Sequence, residues 1–322
     1  MVRSKRIKSI FNPEMYHGWG QSKSYFEGWY FKQVDPSGTA PIAVIPGISY
    51  EDDGSAHSFI QVLDGKNRET HYHRFPAEAF QPHEEHFELT MGDNYFSPER
   101  MVLKLPGLQG QIHLQGQVSW PSKWYSPGVM GWYTFVPLMQ CYHGVVSMDH
   151  QLQGQLVINN ETIDYTGGKG YIEKDWGRSF PSSWFWMQSN NFESDRSISL
   201  MASVAKIPWL GSSFIGFLAG FLLDDTLFRF TTYTGAKLIH KKLEREHLEL
   251  AFQQKQHQLA IIAHKGNTEE LVAPTNVGMT GKVDESMSAR LSVQFKEGGK
   301  LLYEGDGIAA GLEIGGNYSE LL

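Results

Sequence analysis

Three acidic residues of this sequence stand among bulky aromatic side chains: Glu27, Glu173 and Asp175. A carboxyl group in apolar surroundings loses the hydration of its charged form, which raises its pKa and can keep it neutral near pH 7. A neutral carboxylic acid can then donate a proton to a weakly basic substrate that water alone protonates slowly. We therefore take these three residues as the candidate catalytic acids.

Tyr171, Glu173 and Asp175 occupy alternate positions. On a β-strand such residues share one face, and two carboxylates on one face raise each other's pKa. The neighbouring cations Lys174 and Arg178 leave a second interpretation open. In that interpretation they form structural ion pairs with the carboxylates.

Short apolar and aromatic segments, separated by turn residues, position these candidates. Aromatic residues make up 13% of the chain and 33 glycines accompany them, a composition that favours strands and tight turns. Many short strands at this spacing are typical of antiparallel barrels or sandwiches, so we predict an all-β fold. The predicted strands lie at residues 25–34, 42–48, 58–63, 110–120, 153–159, 184–192, 197–205, 214–223, 226–233 and 291–294.

Two segments are ambiguous. Residues 239–263 have helix-forming composition, but Leu248, Leu250 and Phe252 alternate with polar residues, which favours a hairpin. Residues 207–223 are apolar, yet Pro208 and Gly211 interrupt them and they are too short for a membrane span. Hairpin turns are predicted at residues 159–161 and 223–226.

Charge and cysteine content exclude several classes. A net charge of −7 is unsuited to nucleic acid as the main partner. The single cysteine, Cys141, cannot form an internal disulfide and fits a small core residue. Residues 1–8 are basic but no apolar stretch follows them, so we predict a cytoplasmic protein. The basic run at residues 237–245 suits either peripheral contact with an anionic membrane or a solvated strand end.

Histidines offer further chemistry. His71 and His73 would share a strand face, as metal ligands do, but their polar surroundings favour a solvated strand end, and no metal site is predicted. His143 and His150 flank residues 145–148 and could line a pocket and orient a substrate hydroxyl. A serine-hydrolase elbow and a phosphate-binding loop are both missing from the sequence.

Residues 16–32 contain FEGWY, and residues 171–192 contain EKDWG, FP and WFWMQSN. These two blocks resemble the tocopherol cyclase family. The family usually has Asn where this chain has Asp175 and Cys where it has Ser189. The resemblance implies antiparallel lipocalin-like (calycin) barrels, expected as two halves at residues 1–194 and 195–322.

The family resemblance also implies an activity, the closure of a chromanol ring on a prenylated quinol without a cofactor. Such a reaction needs an acid, exclusion of water and aromatic faces that tolerate a tertiary cation. The alternative is a carrier that binds an isoprenoid or another lipid without turnover. The expected ligand-binding residues are Trp29, Tyr30, His143, Tyr171, Trp176, Trp184 and Trp186.

Overall fold

Strands make up almost all of the regular structure. The computed structural model describes residues 2–137 and 139–322. By packing, the chain forms two units, residues 2–180 with 271–282 and residues 181–270 with 283–322. The predicted boundary between residues 194 and 195 lies inside the second unit, because residues 183–189 pair with strands further along the chain.

The first sheet has twelve antiparallel strands. They are β1 (Tyr25–Val34), β2 (Ile42–Tyr50), β3 (Ala56–Asp64), β4 (Glu69–Pro76), β5 (Phe80–Pro82), β6 (Leu89–Met91), β7 (Asn94–Phe96), β8 (Arg100–Leu105), β9 (Leu108–Gln115), β10 (Cys141–Ile158), β11 (Glu161–Asp164) and β12 (Lys169–Gly177). Their order is β4-β3-β2-β1-β12-β10-β9-β8-β7-β6-β5, and β11 pairs with β10.

The second sheet has eleven strands. They are β13 (Ser183–Ser189), β14 (Asn191–Phe192), β15 (Ile198–Trp209), β16 (Ser212–Leu223), β17 (Thr226–Thr231), β18 (Lys237–Leu243), β19 (His247–Gln254), β20 (His257–His264), β21 (Thr268–Thr275), β22 (Gly278–Glu297) and β23 (Lys300–Gly316). The order is β17-β16-β15-β13-β23-β22-β20-β19-β18; β14 pairs with β23 and β21 with β22.

Each unit has its own hydrophobic core, because successive side chains of a strand point to opposite faces and one face of each sheet is apolar. In the first unit this core includes Trp29, Phe31 and Ile172. In the second unit it includes Phe185 and Phe252. Each strand position therefore faces either the core or the opposite side of its sheet.

The predicted all-β fold is confirmed, and so are the predicted hairpin turns. β16 and β17 are joined at residues 224–225, β10 and β11 at residues 159–160, and residues 239–263 form strands rather than a helix. Asn159, Asn160 and Asp224 have positive φ angles, as tight hairpin turns require. Residues 207–223 form the end of β15, a turn and β16.

Helix is scarce in the described chain. α1 (Val2–Phe11) was not predicted, and short 3₁₀ turns cover Ala77–Ala79, Gly131–Phe135, Thr232–Thr234 and Tyr318–Leu321. All helices of residues 2–137 and 139–322 fall short of the length and apolarity that a membrane-spanning helix requires.

Candidate active site

Strand β12 carries candidate site residues on both of its faces. It lies between β1 and β10 and pairs with both strands. Ile172 belongs to the first core, and Lys174 and Trp176 share its face. Glu173 and Asp175 therefore lie on the opposite face of the sheet, together with Tyr171.

On that opposite face, an imidazole lies between two carboxylates. His143 is directly across from Asp175 in the pairing of β10 with β12. Its Nδ1 is 2.9 Å from Asp175 Oδ1, and its Nε2 is 3.5 Å from Glu173 Oε2. The Tyr171 hydroxyl donates a 2.6 Å hydrogen bond to Glu173 Oε2. We call His143, Glu173, Asp175 and Tyr171 the acid cluster.

The acid cluster is closed at one end and accessible at the other. Tyr171 is fully buried and the Glu173 side chain is 7% exposed, whereas the His143 and Asp175 side chains are 13% and 27% exposed. Burial, with the charge of Glu173 beside it, raises the pKa of Tyr171 well above its usual range. Tyr171 is therefore a neutral donor that holds the Glu173 carboxylate in place.

Cys141 lies at the open end of the acid cluster. Its Sγ is 3.8 Å from Asp175 Oδ1. Burial raises the pKa of the Cys141 thiol, and the neighbouring Asp175 charge and hydrogen bond raise it further. Because only the thiolate is strongly nucleophilic, Cys141 is not suited to nucleophilic catalysis.

Two carboxylates that share one imidazole can hold and transfer a proton over short distances. The same donor set can bind a divalent metal ion, since the ligand atoms of His143, Glu173 and Asp175 lie within 4.8 Å of one another. A second such group, formed by Glu244, His247 and Glu249, lies on β19 and the turn before it. His71 and His73 are on β4 with their rings 6.2 Å apart.

On the core-facing side of β12, Lys174 forms a buried ion pair with Glu27. The two side chains are fully buried, and Lys174 Nζ is 2.5 Å from Glu27 Oε1. Lys174 Nζ also donates to the carbonyls of Pro13, at 3.1 Å, and Met15, and contacts His17 Nδ1 at 2.8 Å. The rings of Trp29 and Trp176 lie 4.6 and 4.7 Å from the ammonium.

Glu27 accepts hydrogen bonds from the backbone N–H groups of His17, at 2.9 and 3.0 Å, and Gly18, at 3.0 Å, and from the Tyr25 hydroxyl. Burial opposes its ionisation, but the Lys174 ammonium and His17 outweigh burial and hold the pKa of Glu27 below its usual value. Burial lowers the pKa of Lys174 to about 8, against the attraction of Glu27. Glu27 is thus an ionised carboxylate that anchors residues 13–18.

The aromatic residues expected to bind a ligand lie on different strands and on different faces of them. Tyr30 lies directly across from Glu173 on the face of the acid cluster. Trp29 and Trp176 are on the other face beside Lys174. Trp184 and Trp186 lie on β13 in the second unit, where Trp184 Nε1 donates to Glu313 Oε2 at 2.7 Å.

His150 is separate from His143. It is 1% exposed and its Nδ1 is 3.0 Å from Ser147 Oγ. Burial lowers the pKa of His150 to about 3, so it is neutral at ordinary pH. His17, which was not predicted from the sequence as a site residue, stacks on the Trp176 ring at 4.1 Å. Its position beside Tyr16 in the first aromatic block was the only signal for it.

Comparison with known families adds to this geometry. A sequence profile described as tocopherol cyclase-like matches residues 103–316. The chain belongs to the tocopherol cyclase-like family. The matched region includes β12 and the acid cluster, whereas residues 16–32, with the FEGWY block and Glu27, precede it.

A relative named probable tocopherol cyclase, chloroplastic, from Oryza sativa subsp. japonica is 24% identical over 198 residues, which is 58% of this chain and 42% of the rice protein. A second relative, tocopherol cyclase, chloroplastic, from Zea mays, is 26% identical over 109 residues, or 33% of this chain and 23% of the maize protein. The matches thus span less than half the length of each curated relative.

Solved structures share the fold. CghA with Sch210972 has a TM-score of 0.56 at 11% identity, over 91% of this chain and 88% of that chain. Kievitone hydratase from Nectria haematococca has a TM-score of 0.50 at 12% identity, over 91% and 89%. The fold is therefore that of antiparallel lipocalin-like barrels, and the presence of two sheets fits the expectation of two halves.

Proposed function

We propose that this chain is an enzyme that closes an oxygen-containing ring on a lipophilic prenylated phenol by acid catalysis. Membership in the tocopherol cyclase-like family supports the reaction class, and the name of the rice relative supports the type of substrate. The observation that carries the proposal is the acid cluster, in which His143 contacts Asp175 at 2.9 Å and Glu173 at 3.5 Å.

The reaction needs one proton to be donated to the substrate and one proton to be taken back from it. A proton from the cluster adds to the less substituted alkene carbon, so that the π bond breaks and a tertiary cation forms. The phenol oxygen then forms a C–O bond to the cation and returns its own proton to the cluster. The product is an isomer of the substrate, and the atoms balance without a cofactor.

Within the cluster, Glu173 and His143 hold the proton that is transferred, and Asp175 positions the imidazole. Glu173 is the more buried carboxyl, and Tyr171 fixes its orientation. Asp175 contacts Nδ1 of His143, so it sets which imidazole nitrogen faces Glu173. Asn, which resembling family members carry at this position, can make the same contact through its Oδ1.

The test is turnover of a prenylated hydroquinone by the purified full chain, measured as a product of equal mass and different chromatographic retention. We expect Glu173→Gln to lower kcat by at least about 100-fold, since a positioned general acid contributes about 10²–10⁴-fold. Asp175→Asn should cost less than about tenfold, because the contact with His143 is kept. Glu161→Gln, an exposed carboxylate change on β11, is the matched control.

Three results would contradict the proposal. Loss of turnover in Asp175→Asn with full activity in Glu173→Gln would reverse the assigned roles. Full activity in both variants would place the acid outside the cluster. Saturable binding of the hydroquinone, seen by quenching of tryptophan fluorescence, without any product from the wild-type chain would identify a carrier instead of an enzyme.

A further inference from the structure

The segment between β9 and β10 presents exposed aromatic side chains. Within it, Lys123 and Ser126 exchange backbone hydrogen bonds of 3.2 and 2.9 Å, which form a tight turn. Trp124 and Tyr125 occupy the tip of this turn and are 80% and 50% exposed. Trp132 and Phe135, in the following 3₁₀ turn, are also exposed. Large aromatic side chains in such number on a protein surface indicate a contact site.

Helix α1 extends the same surface. Ile7 and Phe11 are one helical turn apart and exposed, on the side opposite the buried Ser9. The ring of Phe11 lies 5.9 Å from that of Phe135. We call Ile7, Phe11, Trp124, Tyr125, Trp132 and Phe135 the aromatic patch. All of these residues belong to the first unit.

The charge around the aromatic patch is opposite to that of the whole chain. The sequence has no Asp or Glu between Glu99 and Asp149, and α1 carries four basic residues and no acidic ones in a chain of net charge −7. Two of the four, Lys5 and Lys8, pair with Glu84 and Glu85. Within residues 2–137 and 139–322, Arg3, Arg6 and Lys123 make no ion pair with a carboxylate.

We propose that the aromatic patch docks on the surface of an anionic lipid bilayer. Exposed Trp, Tyr and Phe side chains favour the membrane interface, and nearby Arg and Lys side chains are attracted to anionic headgroups. A second copy of the chain that presented its own aromatic patch would carry the same positive charge there and be repelled. Because the rest of the protein is acidic, this surface is the one that would turn toward the bilayer.

The basic run at residues 237–245 is a weaker candidate for this role. There, Lys242 pairs with Glu244, and Arg245 pairs with Glu246, which directly follows the run. Its positive charge is therefore partly neutralised. Its exposed apolar side chain is Ile239, with no exposed Trp, Tyr or Phe among residues 237–245. These differences make the run a useful control surface.

Co-sedimentation of the full chain with vesicles tests the proposal without any requirement for turnover. The vesicles are phosphatidylcholine alone or phosphatidylcholine with one third phosphatidylglycerol. We expect at least tenfold stronger binding to the anionic vesicles at about 0.1 M salt, and a large loss at about 1 M, where the screening length falls from about 10 to about 3 Å. Absence of binding to anionic vesicles at low salt would overturn the proposal.

Matched variants locate the surface. The triple variant Phe11→Ser/Trp124→Ser/Phe135→Ser should lower vesicle binding at least tenfold. The matched double variant Leu210→Ser/Ile239→Ser removes exposed apolar side chains of the second unit and should not lower binding. Equal binding by both multiple variants would overturn the proposal.

Removal of charge gives an independent readout. Arg3→Gln/Lys123→Gln should weaken binding and reduce its salt dependence, whereas Lys237→Gln/Lys242→Gln should not. This pair decides the question if the triple serine variant fails to fold by circular dichroism. A change of oligomeric state in the serine variant, with vesicle binding unchanged, would assign the patch to a second copy and overturn the proposal.

Discussion

Replacement of Lys174 by Met tests the buried ion pair that anchors the start of the chain. The change removes an ammonium that is 2.5 Å from Glu27 Oε1 and donates to two backbone carbonyls of residues 13–15. Glu27 would remain ionisable and fully buried without its counter-ion. Removal of one partner of a buried pair costs about 3–5 kcal/mol, so we expect a loss of unfolding free energy in that range.

The assay combines urea unfolding with hydrogen exchange of residues 13–18, which should lose protection in Lys174→Met. Their contacts with Lys174 are removed, and the Glu27 carboxylate that binds the N–H groups of His17 and Gly18 loses its counter-ion. The matched control is Lys169→Met on the same strand, whose ammonium is 3.9 Å from Asp149 and partly exposed. That change should cost less than about 1 kcal/mol. An equal loss in the two variants, with residues 13–18 still protected, would refute the reasoning.

Two further tests probe buried groups, one through the pH dependence of stability and one through chemical reactivity. The pKa of His150 is about 3 in the folded chain and about 6.5 when unfolded, so the unfolded state binds more protons between these values and stability falls as pH decreases. From pH 7 to pH 5 this costs about 2 kcal/mol, which His150→Asn should remove; an unchanged pH dependence of urea unfolding in that variant would contradict the burial effect. The raised pKa of Cys141 predicts slow alkylation by iodoacetamide in the native chain and rapid alkylation in urea, and equal rates in the two conditions would contradict it.

Local sequence patterns predicted part of the candidate site. The alternation of Tyr171, Glu173 and Asp175 with apolar and basic residues gave their shared face, because the two-residue period of a strand is a local property. The turns at residues 159–160 and 224–225 were likewise predictable from the residue types that tolerate positive φ angles.

Contacts that depend on strand register were not predictable. His143 meets Asp175 only because β10 pairs with β12, and two register shifts in that pairing follow His143. The separation of Glu27 from Glu173 has the same origin, since Glu27 lies across from Trp176 and so faces the core side. The return of residues 271–282 to the first unit also depends on long-range pairing, including the contact of Gln61 with Val272.

The most direct test of the proposed chemistry is incorporation of deuterium during turnover in D₂O. Protonation of an alkene carbon by the acid cluster predicts one non-exchangeable deuterium per product molecule, at the carbon next to the new C–O bond. Glu173→Gln should slow the formation of deuterated product by at least about 100-fold, and Asp175→Asn should slow it by less than about tenfold. A cyclised product without deuterium at that carbon, or an undiminished rate of deuterated product in Glu173→Gln, would contradict acid catalysis by this cluster.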